Sequence, residues 1–151
     1  MAMRVAVDTS VLVALFVPDD TWHSQAMSLV NDLRQRQAAV IYFDCVVAEA
    51  LSAAVRRLHE RRQAERIPAV LQRFRHELPV AAITWILQDT ERMYEPILTL
   101  VEQTNGVLNF HDALIALACR EREIPVIASF DPDFDLIAWL KRLTSPGKPS
   151  S

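Results

Sequence analysis

The sequence predicts an α/β domain with a central parallel sheet covered by helices, and three observations carry that prediction. Short apolar runs alternate with stretches whose apolar residues recur at helical spacing, the pattern of repeated strand–helix units. With 151 residues, 51% of them hydrophobic and few aromatic, the chain is long enough to bury one core built from aliphatic side chains. Four carboxylates stand where apolar runs break off: Asp8, Glu49, Asp112 and Asp131. In parallel sheets ligands bind beyond the carboxyl ends of the strands, where Asp8 and Asp131 fall.

Arg4 to Val7 reads as a short buried strand, and Thr9 and Ser10 offer capping hydroxyls before the apolar run that begins at Val11. The turn formed by Pro18, Asp19, Asp20 and Thr21 leads to a helix over 22–36, with Ala26, Leu29, Val30 and Leu33 on one face. Ala39 to Phe43 is the second strand. Asp44 caps the next helix, on which Val47, Ala50, Leu51, Ala54, Val55 and Leu58 form the apolar face. Glu49 lies on a different stripe, with Ser52, Arg56 and Glu60. A helix over 68–77, a strand over 80–85 and a helix over 89–101 follow. Asn105 and Gly106 mark the turn before the helix that carries Asp112, which ends near residue 123 because Pro125 follows. The last strand expected is 126–129. The domain is expected to span residues 1–143, with a mobile tail at 144–151 rich in Ser, Pro and Lys.

The formal charge is -3, but with the four suspect acids set aside the remainder is +1, so the surface as a whole is not acidic. Arginine outnumbers lysine fourteen to two, and nine arginines lie between Arg34 and Arg75, which favours an anionic partner. Cys45 and Cys119 lack CxxC spacing and read as free thiols of a reducing, cytoplasmic compartment. No stretch reaches the ~20 apolar residues of a membrane span, and Asp8 interrupts the only run that resembles a signal peptide. With two glycines in the chain there is neither GxxxxGK nor GxGxxG, so a bound phosphate falls to metal and arginine. His23, His59, His76 and His111 form no HExxH or HxxxH pair.

Each acid has a bland reading on its own: Asp8 as a helix cap, Glu49 as a solvated residue paired with Arg56, Asp112 as a first-turn anion, Asp131 as a turn cap. Four acids pressed against apolar neighbours are nevertheless costly to ionise without compensation, and a shared divalent cation is the economical compensation. Asp112 fits this best, since Ile115, Ala116 and Cys119 share its helical face. Asp133 competes with Asp131 for the fourth place. The three tryptophans, Trp22, Trp85 and Trp139, are candidates to stack on bases, with burial the favoured expectation.

The segments VAVDTSVLVALF, VVAEAL, NFHDALIALA and IASFDPDF, taken in order, resemble the PIN-domain nucleases, and among them the small stand-alone toxins of VapC type. The resemblance spans nearly the whole chain. It implies a Rossmann-like three-layer α/β/α sandwich and an acidic pocket that binds Mg²⁺ or Mn²⁺ and cleaves RNA. Carried over by position, the acids are Asp8, Glu49, Asp112 and Asp131, with Thr9 or Ser10 and Ser129 as hydroxyl helpers and Asp133 as a peripheral acid. Ser129 stands where such proteins often have Thr, and Pro132 follows Asp131 directly. Arg56, two turns on from Glu49, is the leading contact for an RNA phosphate. The expected function is a metal-dependent endoribonuclease, the toxin of a type II toxin–antitoxin system, with a cognate antitoxin protein and a homodimeric state implied by the resemblance. The alternatives are a PIN nuclease acting on housekeeping RNA or on DNA without a toxin role, and a non-catalytic α/β binding module whose acids only cap helices.

Overall fold

A computed structural model describes residues 2–147, and positions 148–151 of the expected tail lie outside them. Strands β1 (Arg4–Val7), β2 (Ala39–Phe43), β3 (Ile83–Thr84), β4 (Val126–Ala128) and β5 (Lys141–Leu143) are ordered β3-β2-β1-β4-β5, every neighbouring pair parallel. Val5, Ala6 and Val7 are fully buried, because the central strand is covered on both faces, and this is why β1 reads as a continuous apolar run. The chain moves outward from β1 through β2 to β3, then returns to place β4 on the other side of β1. That reversal leaves a crevice beyond the carboxyl ends of β1 and β4. Asp8 and Ser129 are the residues that follow those two strands, and the Asp8 N–H donates to Ala128 O at 2.9 Å at the crevice floor.

Helices α1 (Thr9–Phe16), α2 (His23–Gln35), α3 (Asp44–Glu60) and α4 (Ile67–Glu77) connect β1, β2 and β3, while α5 (Thr90–Gln103) and α6 (Phe110–Glu121) connect β3 to β4. Right-handed crossovers in opposite directions put the two groups on opposite faces, giving the Rossmann-like three-layer α/β/α sandwich that the alternation predicted. α1 packs against α2 and α3, and α5 against α6. Among the described residues no helix is long and apolar enough to cross a membrane.

With so few glycines, four helices end on other residues in the left-handed region: Gln37, Arg62, Asn105 and Glu123. Each is followed by an amide that reaches back five residues, as in Ala38 N–H to Leu33 O at 2.9 Å and Ile124 N–H to Cys119 O at 2.8 Å. This is the Schellman stop, which satisfies carbonyls the helix leaves open.

The secondary structure and its capping depart from the sequence expectations at four places. Of the expected strand 80–85, only Ile83 and Thr84 pair; residues 80–82 form a single 3₁₀ turn, since β3 is an edge strand. The sheet also has a fifth strand, β5, whose Lys141, Arg142 and Leu143 lack the apolar run expected of a strand. Thr9 and Ser10 do not cap α1; their hydroxyls turn to the acids instead. Asp44 is buried at the start of α3, and besides the Cys45 amide it accepts the amides of Ile86 and Leu87, each at 3.0 Å. One carboxylate thus ties the segment after β3 to the helix that carries Glu49.

Candidate active site

Asp8 ends β1 as an almost fully buried carboxylate, 4% exposed. Its Oδ2 accepts hydrogen bonds from Ser129 Oγ at 2.7 Å and Ser10 Oγ at 3.1 Å, so the residues after β1 and β4 are bonded to each other across the crevice. Its side chain makes no capping hydrogen bond to α1. Burial pushes the Asp8 pKa up; the Ser129 and Ser10 hydroxyls oppose that, and the nearby Asp131 charge adds to it.

Glu49 enters from α3. Its Oε2 accepts from Thr9 Oγ1 at 3.1 Å, and its Oε1 is bonded to His111 Nδ1. A carboxylate can only accept, so His111 carries the proton on Nδ1 in this bond. The partner is therefore His111 from α6, not Arg56 from the same helix.

Asp112 stands in the first turn of α6, which Asn109 begins by accepting the Asp112 amide at 2.9 Å. Burial, then the charges of Asp8, Asp131 and Glu49, push the Asp112 pKa up to about 6, with the Asn109 backbone amide pulling the other way. The other three acids therefore all act on Asp112. Among the described residues no arginine or lysine forms an ion pair with Asp8, Asp112 or Asp131.

Asp131 receives the Asp133 amide on Oδ1 at 2.9 Å, capping the short turn that Pro132 opens, while its own amide donates to Ser129 Oγ at 3.0 Å. Capping leaves Oδ2 for other work, so the turn-cap reading and a site role are compatible. Asp133 serves through its amide at the edge of this turn. Ser10, Ser129 and Thr9 thus form a hydroxyl scaffold among the acids, and His111 and Asn109 join it from α6. Neither had a sequence signal beyond adjacency: His111 neighbours Asp112, and Asn109 sits three residues before it, the N-cap spacing.

The side chains suit a divalent cation in chemistry: hard oxygen donors from four segments, one buried and three half-buried, with no arginine or lysine paired to Asp8, Asp112 or Asp131 among the described residues. As they stand, no group of three or more His, Cys, Asp or Glu among the described residues is already drawn together tightly enough to hold an ion.

A stability experiment tests the repulsion on Asp112. Asp112 takes up a proton more readily folded than unfolded, so its contribution favours the fold at low pH and is lost as pH rises from its ordinary 3.8 through about 6. Two pH units amount to ~3 kcal/mol in a closed site; this carboxyl is half-buried, and screening reduces the effect to about 1 kcal/mol. In EDTA at pH 7.5, Asp112→Asn is expected to melt about 2–4 °C above the parent, the gap falling to roughly half near pH 5. A parent as stable as the variant at pH 7.5 would show that the acids do not strain the fold.

The arginine cluster divides. Arg57 pairs with Asp20, Arg61 with Asp19 at 3.0 Å and Arg36 with Asp32 at 3.0 Å, while Arg73 lies over the Phe16 ring at 4.8 Å. Much of the cluster is thus structural. Arg56 is exposed, and among the described residues it has neither ion pair nor hydrogen bond.

The chain's fold and its order of acids can be set beside known proteins. It is similar in structure to VapC20 of Mycobacterium tuberculosis, a Sarcin-Ricin loop cleaving toxin, with a TM-score of 0.64 and 21% identity over 89% of this chain and 95% of that one. It is similar also to VapBC2 of Rickettsia felis, solved bound to a DNA fragment from their promoter, with a TM-score of 0.64 and 17% identity over 93% and 98%. At such identities the likeness is one of fold. No curated protein matches the sequence. The family model of the PIN domain matches residues 5–140, from the first buried strand to the turn before the last, and the chain belongs to that family.

Proposed function

We propose that this protein is a metal-dependent endoribonuclease, the toxin of a type II toxin–antitoxin pair. The observation that carries the reading is the convergence of Asp8, Glu49, Asp112 and Asp131 on one crevice with no basic partner for three of them, expressed in an Asp112 pKa near 6. Membership of the PIN family and likeness to two VapC-type structures support the nuclease class. One neighbour is a Sarcin-Ricin loop cleaving toxin, which supports RNA as the substrate.

Asp8, Asp112 and Asp131 Oδ2 are the oxygens that would hold Mg²⁺ or Mn²⁺. When bound, such an ion lowers the pKa of a water and stabilises charge on the phosphorane-like transition state. Glu49, fixed by Thr9 and His111, orients the attacking water or adds a ligand. Ser10 and Ser129 hold Asp8 in place, and Arg56 binds a substrate phosphate. A cognate antitoxin is the expected protein partner, in line with the neighbour solved as a VapBC complex. A second copy of the chain is the other, and exposed Tyr94 and Leu98, one turn apart on α5, suit such a contact. Two free, buried cysteines accord with the cytoplasm.

Total RNA incubated with Mg²⁺, with Mn²⁺ and with EDTA tests the reading. Discrete fragments that require metal are expected, and Arg56→Ala is expected to weaken RNA binding and reduce the salt slope by about one. Metal-independent RNA cleavage would reject the metal-dependent reading, and no cleavage with either ion would reject it in favour of a binding module.

A further inference from the structure

We infer that Trp22 and Phe130 form a platform on which one unpaired nucleobase stacks beside the acidic site, with Arg56 holding a neighbouring phosphate. The inference rests on the nuclease reading and adds to it the feature that seats a nucleotide next to the cleaved bond.

Contrary to the sequence expectation of burial, Trp22 is 47% exposed. Its ring lies on Phe130, centroids 4.8 Å apart and planes 19° from parallel, so one face is covered and the residue remains open. Phe130 directly precedes Asp131, and its amide donates to Ser10 Oγ at 3.0 Å, the same hydroxyl that donates to Asp8. The platform is thereby bonded to the scaffold of the acids. Trp22, Phe130, Arg56, Ser10 and Asp131 all line one cleft of about 430 Å³, within the size range of sites for small ligands.

The indole is not needed to hold its own loop. The Trp22 amide donates to Asp20 Oδ1 at 2.9 Å and Asp20 pairs with Arg57, so backbone and carboxylate anchor the turn whatever side chain follows. Trp22 packs one ring face on Phe130 and leaves about half of its surface open to a further partner. The cleft sets a guanidinium on one wall and an aromatic face on another, the pairing used for single-stranded nucleic acid. A peptide groove would be more apolar and need not open onto the carboxylates. Glu60, one turn beyond Arg56 on α3, also lines the cleft, as does the Arg57–Asp20 pair.

The test uses the Asp112→Asn variant of the 151-residue chain, expected to leave RNA intact, with a fluorescein-labelled mixed-sequence RNA nonamer and its single-abasic versions in Mg²⁺. Anisotropy should show one abasic position that costs about tenfold in affinity. Adding Trp22→Ala should cost about tenfold for the intact strand and abolish sensitivity at that position, while Trp22→Phe retains both. A Trp22→Ala protein that binds with the parent's affinity and abasic profile overturns the platform, leaves the ring pair to a protein partner and leaves the nuclease reading standing. Should Trp22→Ala melt early, the parent's own profile decides, and a flat one overturns the proposal. If the parent binds no RNA at all, platform and nuclease reading fail together.

Discussion

Asp8→Asn is expected to lower RNA cleavage on the order of 10³-fold or more while leaving the fold at least as stable as the parent. Asn is nearly isosteric, and its carbonyl oxygen can still accept the Ser129 hydroxyl that bonds Asp8 Oδ2 at 2.7 Å. What disappears is a buried negative charge that has hydroxyls but no cation around it. On the proposed reading, its loss removes a hard ligand from the acid group. It also relieves the repulsion from Asp131 and Asp112, which is why melting in EDTA should hold or rise. Cleavage of total RNA and melting by circular dichroism, run on the same preparations, make the check. A metal-saturated Asp8→Asn protein with full activity would remove Asp8 from the site.

Asp44→Ala is expected to give the largest loss of stability. The carboxylate is 5% exposed and accepts three amides, from Cys45, Ile86 and Leu87. Truncation leaves donors in the interior without acceptors, each worth ~1–3 kcal/mol. A total near 3 kcal/mol, or roughly 10 °C in melting temperature for a domain of this size, follows once partial rehydration is allowed for. Asp44→Asn should cost less, on the order of 1–2 kcal/mol, because one oxygen still serves Cys45 and Ile86 while its NH₂ opposes the Leu87 amide. Urea unfolding of both variants is the measurement; an alanine protein within about 0.5 kcal/mol of the parent would show that this clamp does not hold the segment after β3 to α3.

Both variants concern carboxylates that were visible in the sequence, yet their surroundings were not equally visible. The sequence by itself determined the layered α/β order, because buried parallel strands must read as apolar runs and the helices between them must show a 3.6-residue period. It also determined which acids interrupt apolar segments, since such an acid is conspicuous wherever the chain places it. β5 was hidden because Lys141 and Arg142 carry no strand signature and pair only because β4 offers an open edge. The expected strand at 80–85 was overestimated for the converse reason, an apolar stretch finding only two residues of partner.

Tertiary structure alone decided what each acid meets. Ser129 Oγ reaches Asp8 across 121 residues, His111 reaches Glu49 across 62, and the amide of Ile86 reaches Asp44 across 42. Trp22 meets Phe130 in the same way, from the far side of the sheet's reversal. Local spacing records periodicity and caps, which act within a turn or two of chain. The position of a site records the crossing of strands, and a parallel sheet brings its strand ends together only after the whole chain has folded.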